Sequence, residues 1–569
     1  LRNLEILHLE MIDFKESILI ESLGALPSLK TLQASFSNFT HFGKGWCELK
    51  NLEELLLLGN NLKGLLPPCL GNLSSLQILD LSYNQLEGNI AFSHISHLTQ
   101  LEYLSVSNNY FQVPISCGSF MNLSNLKVIA CDNNELIAAP SFQPSAPKFQ
   151  LLFFSASNCT PKPLQAGFPN FLHSQYDLVL VDLSHNKFVG EPFPSWLFEN
   201  NTKLNRLYLR DTSFIGPLQL PQHPTPNLHT VDMSGNNIHG QVARNICSIF
   251  PRLKNFMMAN NSLTGCIPPC FGNMSSLEYL DLSNNHINQF EGTIPIEYFN
   301  SHGLEFLDLS ENNLSGSLPL GFHASDLHYV HLYRNQLSGP LPYAFCNLSS
   351  LVIFDLGDNN LTGPIPNWID SLSELSIFVL KSNQFNGILP HQLCLLRKLS
   401  ILDLSENNFS GLLPSCLSNL NFTASDEKTS VEPGRMSGDD GIQEEIFALI
   451  GYYLDDKIVL PVIDVKIAVE LTAKKNFYSY EGGILRYMSA LDLSCNRFTG
   501  EIPTEWGNLN MYSFYASFGV CYIIAVLTIA AVLCINPHWR RSNLPVRSVL
   551  SNKVKCGSTI ILFAERTQV

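Results

Sequence analysis

Residues 351–374 read LVIFDLGDNNLTGPIPNWIDSLSE, residues 375–398 read LSIFVLKSNQFNGILPHQLCLLRK, and residues 399–414 read LSILDLSENNFSGLLP. The units follow one another without insertion and share the form L-x-x-L/F-x-L-x-x-N-x-L/F-x-G-x-I/L-P, with a period of 24 residues. A fixed period of this length marks a repeat architecture. In L-x-x-L-x-L the last two leucines alternate inward on a short strand, and the residues between them face out. The Asn side chain offers donor and acceptor to the backbone where the strand ends. The Gly tolerates the dihedral angles of the return path, and the Pro removes a donor and favours an extended course. One unit cannot bury its leucines alone, so units stack into one continuous core.

Working outward, alignment on the Asn slot gives 18 candidate repeats from Ile12 to Asn496, spaced 23 to 27 residues as far as Asn407. Cys159 stands in the slot as an accepted variant, while Ile12, Ser37 and Thr212 mark weaker repeats. The Pro-containing runs 140–147 and 217–226 lengthen convex loops. After Asn407 the next slot comes 89 residues on. Within that gap, TASDEKTSVEPGRMSGDDGIQEE is acidic and reads as a loop, and Val465, Ile467, Val469 and Leu471 alternate as a strand. The period resumes at MSALDLSCNRFTGEIP. The reading is therefore a solenoid over 1–420 (about 17 repeats), an island over 421–487, one further repeat over 488–510, a span over 511–535 and a short basic tail over 536–569.

The span carries the 22 uncharged residues Phe514 to Ile535, enough to cross a hydrocarbon core of about 30 Å. Tyr512, Tyr515 and Trp539 suit the interfaces, and Arg540 and Arg541 place the tail on the cytoplasmic side and the repeats outside. Sequons at Asn38, Asn72, Asn122, Asn158, Asn200, Asn260, Asn273, Asn313, Asn347, Asn360, Asn408 and Asn421 agree with that side.

Composition narrows the function. Net charge is -15, and the tail holds six Lys/Arg and one Glu, leaving about -20 on the rest. That argues against a nucleic-acid binder, which needs a basic face. The 15 cysteines include no C-x-x-C and no Cys/His set at zinc spacing. Cys69, Cys270 and Cys416 share one repeat slot and read as small core hydrophobes; a Cys266–Cys270 pair is open, since geometry cannot be judged from sequence. No G-x-S-x-G, H-E-x-x-H, P-loop or kinase motif occurs. The Asp of LDLS, at Asp80, Asp182, Asp281, Asp308, Asp403 and Asp492, reads as a repeat-slot residue on the solvent face. No enzyme, metal or cofactor is expected. Seventeen strands at ~4.8 Å would give a concave sheet roughly 80 Å along its arc, a surface for extended or protein ligands. Its outward aromatic and charged slots, Tyr208, Arg210, His328, Tyr329, His331, Tyr333, Arg334 and Lys381, are the candidate ligand contacts.

The L-x-G-x-I-P form, the island exit VELTAKKNFYSYEGGILRYMSALDLSCNRFTGEIP and the segment FYASFGVCYII…INPHWRR resemble plant leucine-rich repeat receptor-like proteins, among them the Cf-type immune receptors of tomato. The resemblance covers Leu1 to about Arg541 and implies a plant-type extracellular leucine-rich repeat superhelix, an α/β solenoid with short parallel strands on its concave face, plus one transmembrane helix. It implies recognition of an extracellular peptide or protein, no kinase in the chain, and signalling through adaptor and co-receptor receptor kinases at the plasma membrane. It also implies that Lys474 and Tyr480, with five residues between them, contact a co-receptor; anchoring of the island is the alternative. Ser513, Ser517, Gly519 and Cys521 would permit close helix packing in the span. The chain departs from the family in lacking a cysteine-containing N-terminal cap and in having a single repeat after the island. A truncated product with uncapped, unstable ends is thus expected. A non-signalling decoy or inhibitor of secreted enzymes is the other class of function.

Overall fold

The computed structural model describes residues 2–12, 23–137, 147–159, 168–188, 190–285, 290–300, 303–321, 326–420, 468–473, 476–481, 488–508 and 561–564. The chain falls into two compact units, Leu1–Phe290 and Glu291–Val569. Periodicity alone gave one array over 1–420. The division lies inside the 27-residue interval from Asn285 to Asn312, which the residues HINQFEG lengthen.

In the first unit, three-residue strands run from Ile6–His8, Thr31–Gln33 and Glu54–Leu56 through to Asn255–Met257 and Tyr279–Asp281. Each pairs in parallel with the next in sequence order. The second unit repeats the plan with Phe306–Asp308, Tyr329–His331, Ile353–Asp355, Ile377–Val379, Ile401–Asp403 and Ser489–Asp492. A second set of parallel strands, Asn313–Ser317, Gln336–Gly339, Asn360–Gly363, Gln384–Gly387, Asn408–Gly411 and Arg497–Phe498, follows the Asn slot.

The repeat residues do what their chemistry demands. Leu351, Phe354, Leu356 and Leu361 are all 0% exposed. Asn359 donates to the carbonyls of Leu332, Leu356 and Gly357 at 2.9 to 3.1 Å and accepts from Leu337 N–H at 3.0 Å. One side chain thus satisfies backbone groups in two repeats that the bend would otherwise leave buried and unpaired. Asn335, Asn383 and Asn407 repeat the pattern. Gly411 has φ +85°, and a Cβ there would stand 2.7 Å from Ile388 Cγ2.

After the Gly, Pro366 is extended and Asn367–Ser371 forms a 3-10 turn. The return arcs are such 3-10 turns almost throughout; Trp196–Asn200 and Ile246–Ile249 are short α-helices among the described residues. The expected α/β solenoid is therefore, among the described residues, a parallel-strand solenoid whose returns are mostly short 3-10 turns, with two of them single α-helical turns.

The long gap in the period closes without an extra rung. Ile401 pairs with Ala490, Phe409 N–H donates to Asn496 Oδ1 at 3.0 Å and Asn496 Nδ2 to Leu404 O at 2.8 Å. Trp506 Nε1 donates to Pro414 O. Part of the inserted segment forms an antiparallel hairpin, Ala468–Ala473 with Asn476–Glu481, where alternation had suggested one strand. Tyr480 lies on its second strand; Lys474 falls outside the described residues. So do 511–560, with the proposed span and Ser513, Ser517, Gly519 and Cys521. Among the described residues no helix is long and apolar enough to cross a membrane. Ile561–Ala564 pairs antiparallel with Ser489–Asp492.

The cysteines correct the sequence reading. Cys47–Cys69, Cys247–Cys270 and Cys394–Cys416 are disulfides, each joining one return turn to the turn of the next repeat. Cys69, Cys270 and Cys416 are covalent staples, not core fillers, and Cys266 is exposed and unpaired with Cys270. Disulfides persist in oxidising compartments.

Candidate ligand-binding face

The concave slots are the positions that flank the inward Leu or Phe of each strand. In the second unit one column runs Asp308, His331, Asp355, Val379, Asp403 and Asp492, and a neighbouring column runs Phe306, Tyr329, Ile353, Ile377, Ile401 and Ala490. Each side chain inside a column is flanked on both sides by its counterparts. Most of these residues are buried: Asp355 is 3% exposed and Asp403 1%. The expectation that the LDLS aspartates face solvent is thus corrected for Asp80, Asp182, Asp403 and Asp492, which are buried.

What these carboxylates do is local. Asp403 Oδ1 accepts from Ser405 N–H at 3.0 Å and Ser405 Oγ at 2.6 Å, and Asp80, Asp182, Asp308 and Asp492 accept likewise from the second residue on. Asp355 accepts from Gly357 N–H at 2.9 Å. Burial pushes Asp355 and Asp403 up to about 7 and Asp308 up to about 6, against the pull of those bonds. The same cause raises Asp182 to about 7, with Asp132 adding repulsion. Burial also lowers His331 to about 4, so its ring is neutral between Asp308 and Asp355.

The candidate contacts divide between the units. Tyr208 and Arg210 share one rung of the first. Tyr208 is 4% exposed, in register between Asp182 and Asp232, while Arg210 stays partly exposed with Nε 3.6 Å from Asp211 Oδ2. His328, Tyr329, His331, Tyr333 and Arg334 share one rung of the second unit. Its neighbour Phe306 lies 5.7 Å from the Tyr329 ring and stacks at 6.0 Å on His331. His331 and Tyr333 are 4% and 6% exposed, and Lys381, two rungs on, is 1% exposed. Tyr208, His331, Tyr333 and Lys381 are therefore packed between rungs, where the outward pattern suggested free contacts. Lys381 lies close enough to lower both Asp403 and Asp492 electrostatically. His328 and Tyr329 are half-buried and Arg334 is exposed. The buried Nδ1 of His328 and Nε2 of His331 have no hydrogen-bond partner.

Of one column the sequence reading names only Arg334. The residue before each Asn slot, Glu311, Arg334, Asp358, Ser382 and Glu406, has φ between +48° and +55°. That left-handed turn swings the side chain out of the packed columns. Arg334 lies 5.1 Å over the Tyr333 ring, with NH1 3.6 Å from Glu311 Oε2 and Nε 3.9 Å from Asp358 Oδ2. Ser382 donates to Glu406 at 2.6 Å. The signal was available as the x immediately before N in L-x-L-x-x-N. Among the described residues no group of three or more His, Cys, Asp or Glu could hold a metal ion.

The comparisons agree with this architecture. Leucine-rich repeat family models match residues 27–86, 226–287 and 251–314 and residues 75–98, 326–348, 350–372, 398–420 and 488–509. With the parallel ladder, these define a leucine-rich repeat protein. Cuscuta receptor 1 of Solanum lycopersicum is 40% identical over 242 residues, 42% of this chain and 21% of the relative. Receptor-like protein 1 of Arabidopsis thaliana is 36% identical over 242 residues, 42% of this chain and 22% of the relative. The chain belongs to the plant leucine-rich repeat receptor-like proteins and spans about a fifth of the length of these relatives. Among solved structures, the Arabidopsis receptor kinase HAESA in complex with the peptide hormone IDA and the co-receptor SERK1 is 30% identical with a TM-score of 0.57, covering 74% of this chain and 73% of that one. PEPR1-AtPEP1 is 26% identical with a TM-score of 0.56, covering 70% and 58%.

Proposed function

We propose that this chain is part of a single-pass cell-surface receptor that binds an extracellular peptide or protein on its repeats and signals, in plant defence, through partner receptor kinases. The observation that carries the reading is the rung from His328 to Arg334. It sets a half-buried Tyr, two histidine nitrogens without partners and an exposed Arg side by side on a rigid parallel ladder. Tyr and Arg are frequent anchors of interfaces. Three disulfides in the return turns support an extracytoplasmic location. One similar solved structure, that of HAESA, holds a peptide hormone and a co-receptor.

The test uses the ectodomain of the full-length receptor, screened against a randomised peptide library. With a selected binder, Tyr329→Ala and Arg334→Ala should each weaken affinity about tenfold or more, ~1.4 kcal/mol. Unchanged affinity in both removes this rung as the site. Co-purification of a receptor kinase from plant membranes tests the signalling half, and its absence in the presence of ligand counts against it. The C-terminus gives a third test. Ile561–Ala564 is paired with the last repeat, whereas a segment across a bilayer from the repeats cannot be. A C-terminal epitope protected from protease in sealed microsomes places both on one side and overturns the single-pass arrangement; a digested epitope supports it.

A further inference from the structure

We propose that N-linked glycans on Asn360 and Asn408 cover an exposed apolar ridge on the second unit. The inference rests on the extracytoplasmic reading above. The ridge is the residue after the second-set Gly in four successive repeats: Pro340, Pro364, Ile388 and Leu412, all exposed. Ile388 and Leu412 are 68% and 70% exposed. Each lies over the glycine of the following repeat. A Cβ on Gly363 would be 3.2 Å from Pro340 Cβ, one on Gly387 3.4 Å from Pro364 Cβ, and one on Gly411 2.7 Å from Ile388 Cγ2; Leu412 covers Gly500 in the same way. The ridge is thus continuous. Contiguous exposed apolar surface marks a place where something binds or covers.

What covers it is indicated by the flanking slots. In the same four repeats these are Gln336, Asn360, Gln384 and Asn408, then Ser338, Thr362, Asn386 and Ser410. None carries a charge, so the surface offers amides and hydroxyls beside apolar faces, with no ionic partner to match. A saccharide has that complement: neutral hydroxyls and C–H ring faces. The acceptors stand on the same strands. In Asn360–Gly363, Asn360 is exposed, Leu361 is 0% exposed and Thr362 is half-buried. The strand period therefore puts the acceptor amide and the sequon hydroxyl on one outward face. In Asn408–Gly411 the alternation is the same, with Asn408 and Ser410 half-buried about a Phe409 that is 0% exposed. The two acceptors are 48 residues apart, two rungs, or about 10 Å. Gln384 fills the rung between them, so that each bulky chain has two rungs to itself.

The experiment takes the full chain from a secretory eukaryotic host. Site occupancy is read by peptide mass after enzymatic glycan release in heavy-oxygen water. Asn72, Asn273 and Asn347, exposed sequons in the return turns, report passage through the lumen. If none of these is modified, the extracytoplasmic reading fails. If they are modified while Asn360 and Asn408 are not, this proposal is overturned and that reading stands. With both occupied, carbene footprinting of folded protein before and after glycan trimming should show labelling of Ile388 and Leu412 rise severalfold. Leu65, 70% exposed in the same slot of a repeat without a sequon there, should not change. Asn360→Gln/Asn408→Gln should match the trimmed protein. Equal labelling of Ile388 and Leu412 in all samples overturns the cover.

Discussion

The run Leu351–Pro414 and the stretch from Ala130 to Asn236 solve one problem with different residues. In the run, every slot Asn makes the same set of bonds, as Asn383 does to Leu356, Leu380 and Lys381 carbonyls while accepting from Leu361 N–H. In the earlier stretch Cys159 and Thr212 stand in that slot. Cys159 Sγ approaches Cys131 O at 3.4 Å and Ser157 O at 3.5 Å. Thr212 Oγ1 donates to Leu209 O at 2.8 Å, and the following Asn236 accepts from Thr212 N–H. The core there is aromatic, with Phe168 in edge contact with Phe188 and Trp196. In these rungs the slot residue supplies a side-chain donor at the strand end, weaker at Cys159 than at Asn383.

The largest effect should come from breaking the regular side. Asn383→Ala leaves several buried backbone groups unpaired at about 1–3 kcal/mol each, so amide exchange across residues 356–385 should accelerate by orders of magnitude. Next, Cys394→Ser/Cys416→Ser removes a staple across 22 residues and should cost about 3 kcal/mol, seen as an earlier urea transition of the second unit. Cys159→Ala in the irregular stretch loses only a weak donor and a small volume, and should cost about 1 kcal/mol; a loss equal to that of Asn383→Ala would refute the comparison.

Both regions share one pH response. Asp355 and Asp403, like Asp182, sit at about 7 in the fold because burial disfavours charge, against about 3.9 unfolded. A folded value raised above the unfolded one means more protons bound when folded. Stability should thus be full below about pH 4 on this account and decline as pH rises toward 7. Asp355→Asn should flatten the urea midpoint of the second unit across that window; a profile unchanged by the substitution contradicts the assignment.

Periodicity disclosed the rungs, the inward leucines and the Asn bonds because each follows from a single repeat unit. It could not disclose contacts made between units. Tyr208, His331, Tyr333 and Lys381 stand in outward slots, yet neighbouring rungs bury them. Arg334 escapes because the residue before the Asn takes a left-handed turn. The disulfides depend on which return-turn positions face each other across 22 or 23 residues, a distance in sequence that no local motif signals.

Those staples also test the central claim most directly, since they require both the one-rung register and an oxidising compartment. Non-reducing peptide mapping of the secreted chain should find Cys47–Cys69, Cys247–Cys270 and Cys394–Cys416 linked, with Cys266 outside these pairs. A Cys266–Cys270 link, or six free thiols at the paired positions, would contradict the account.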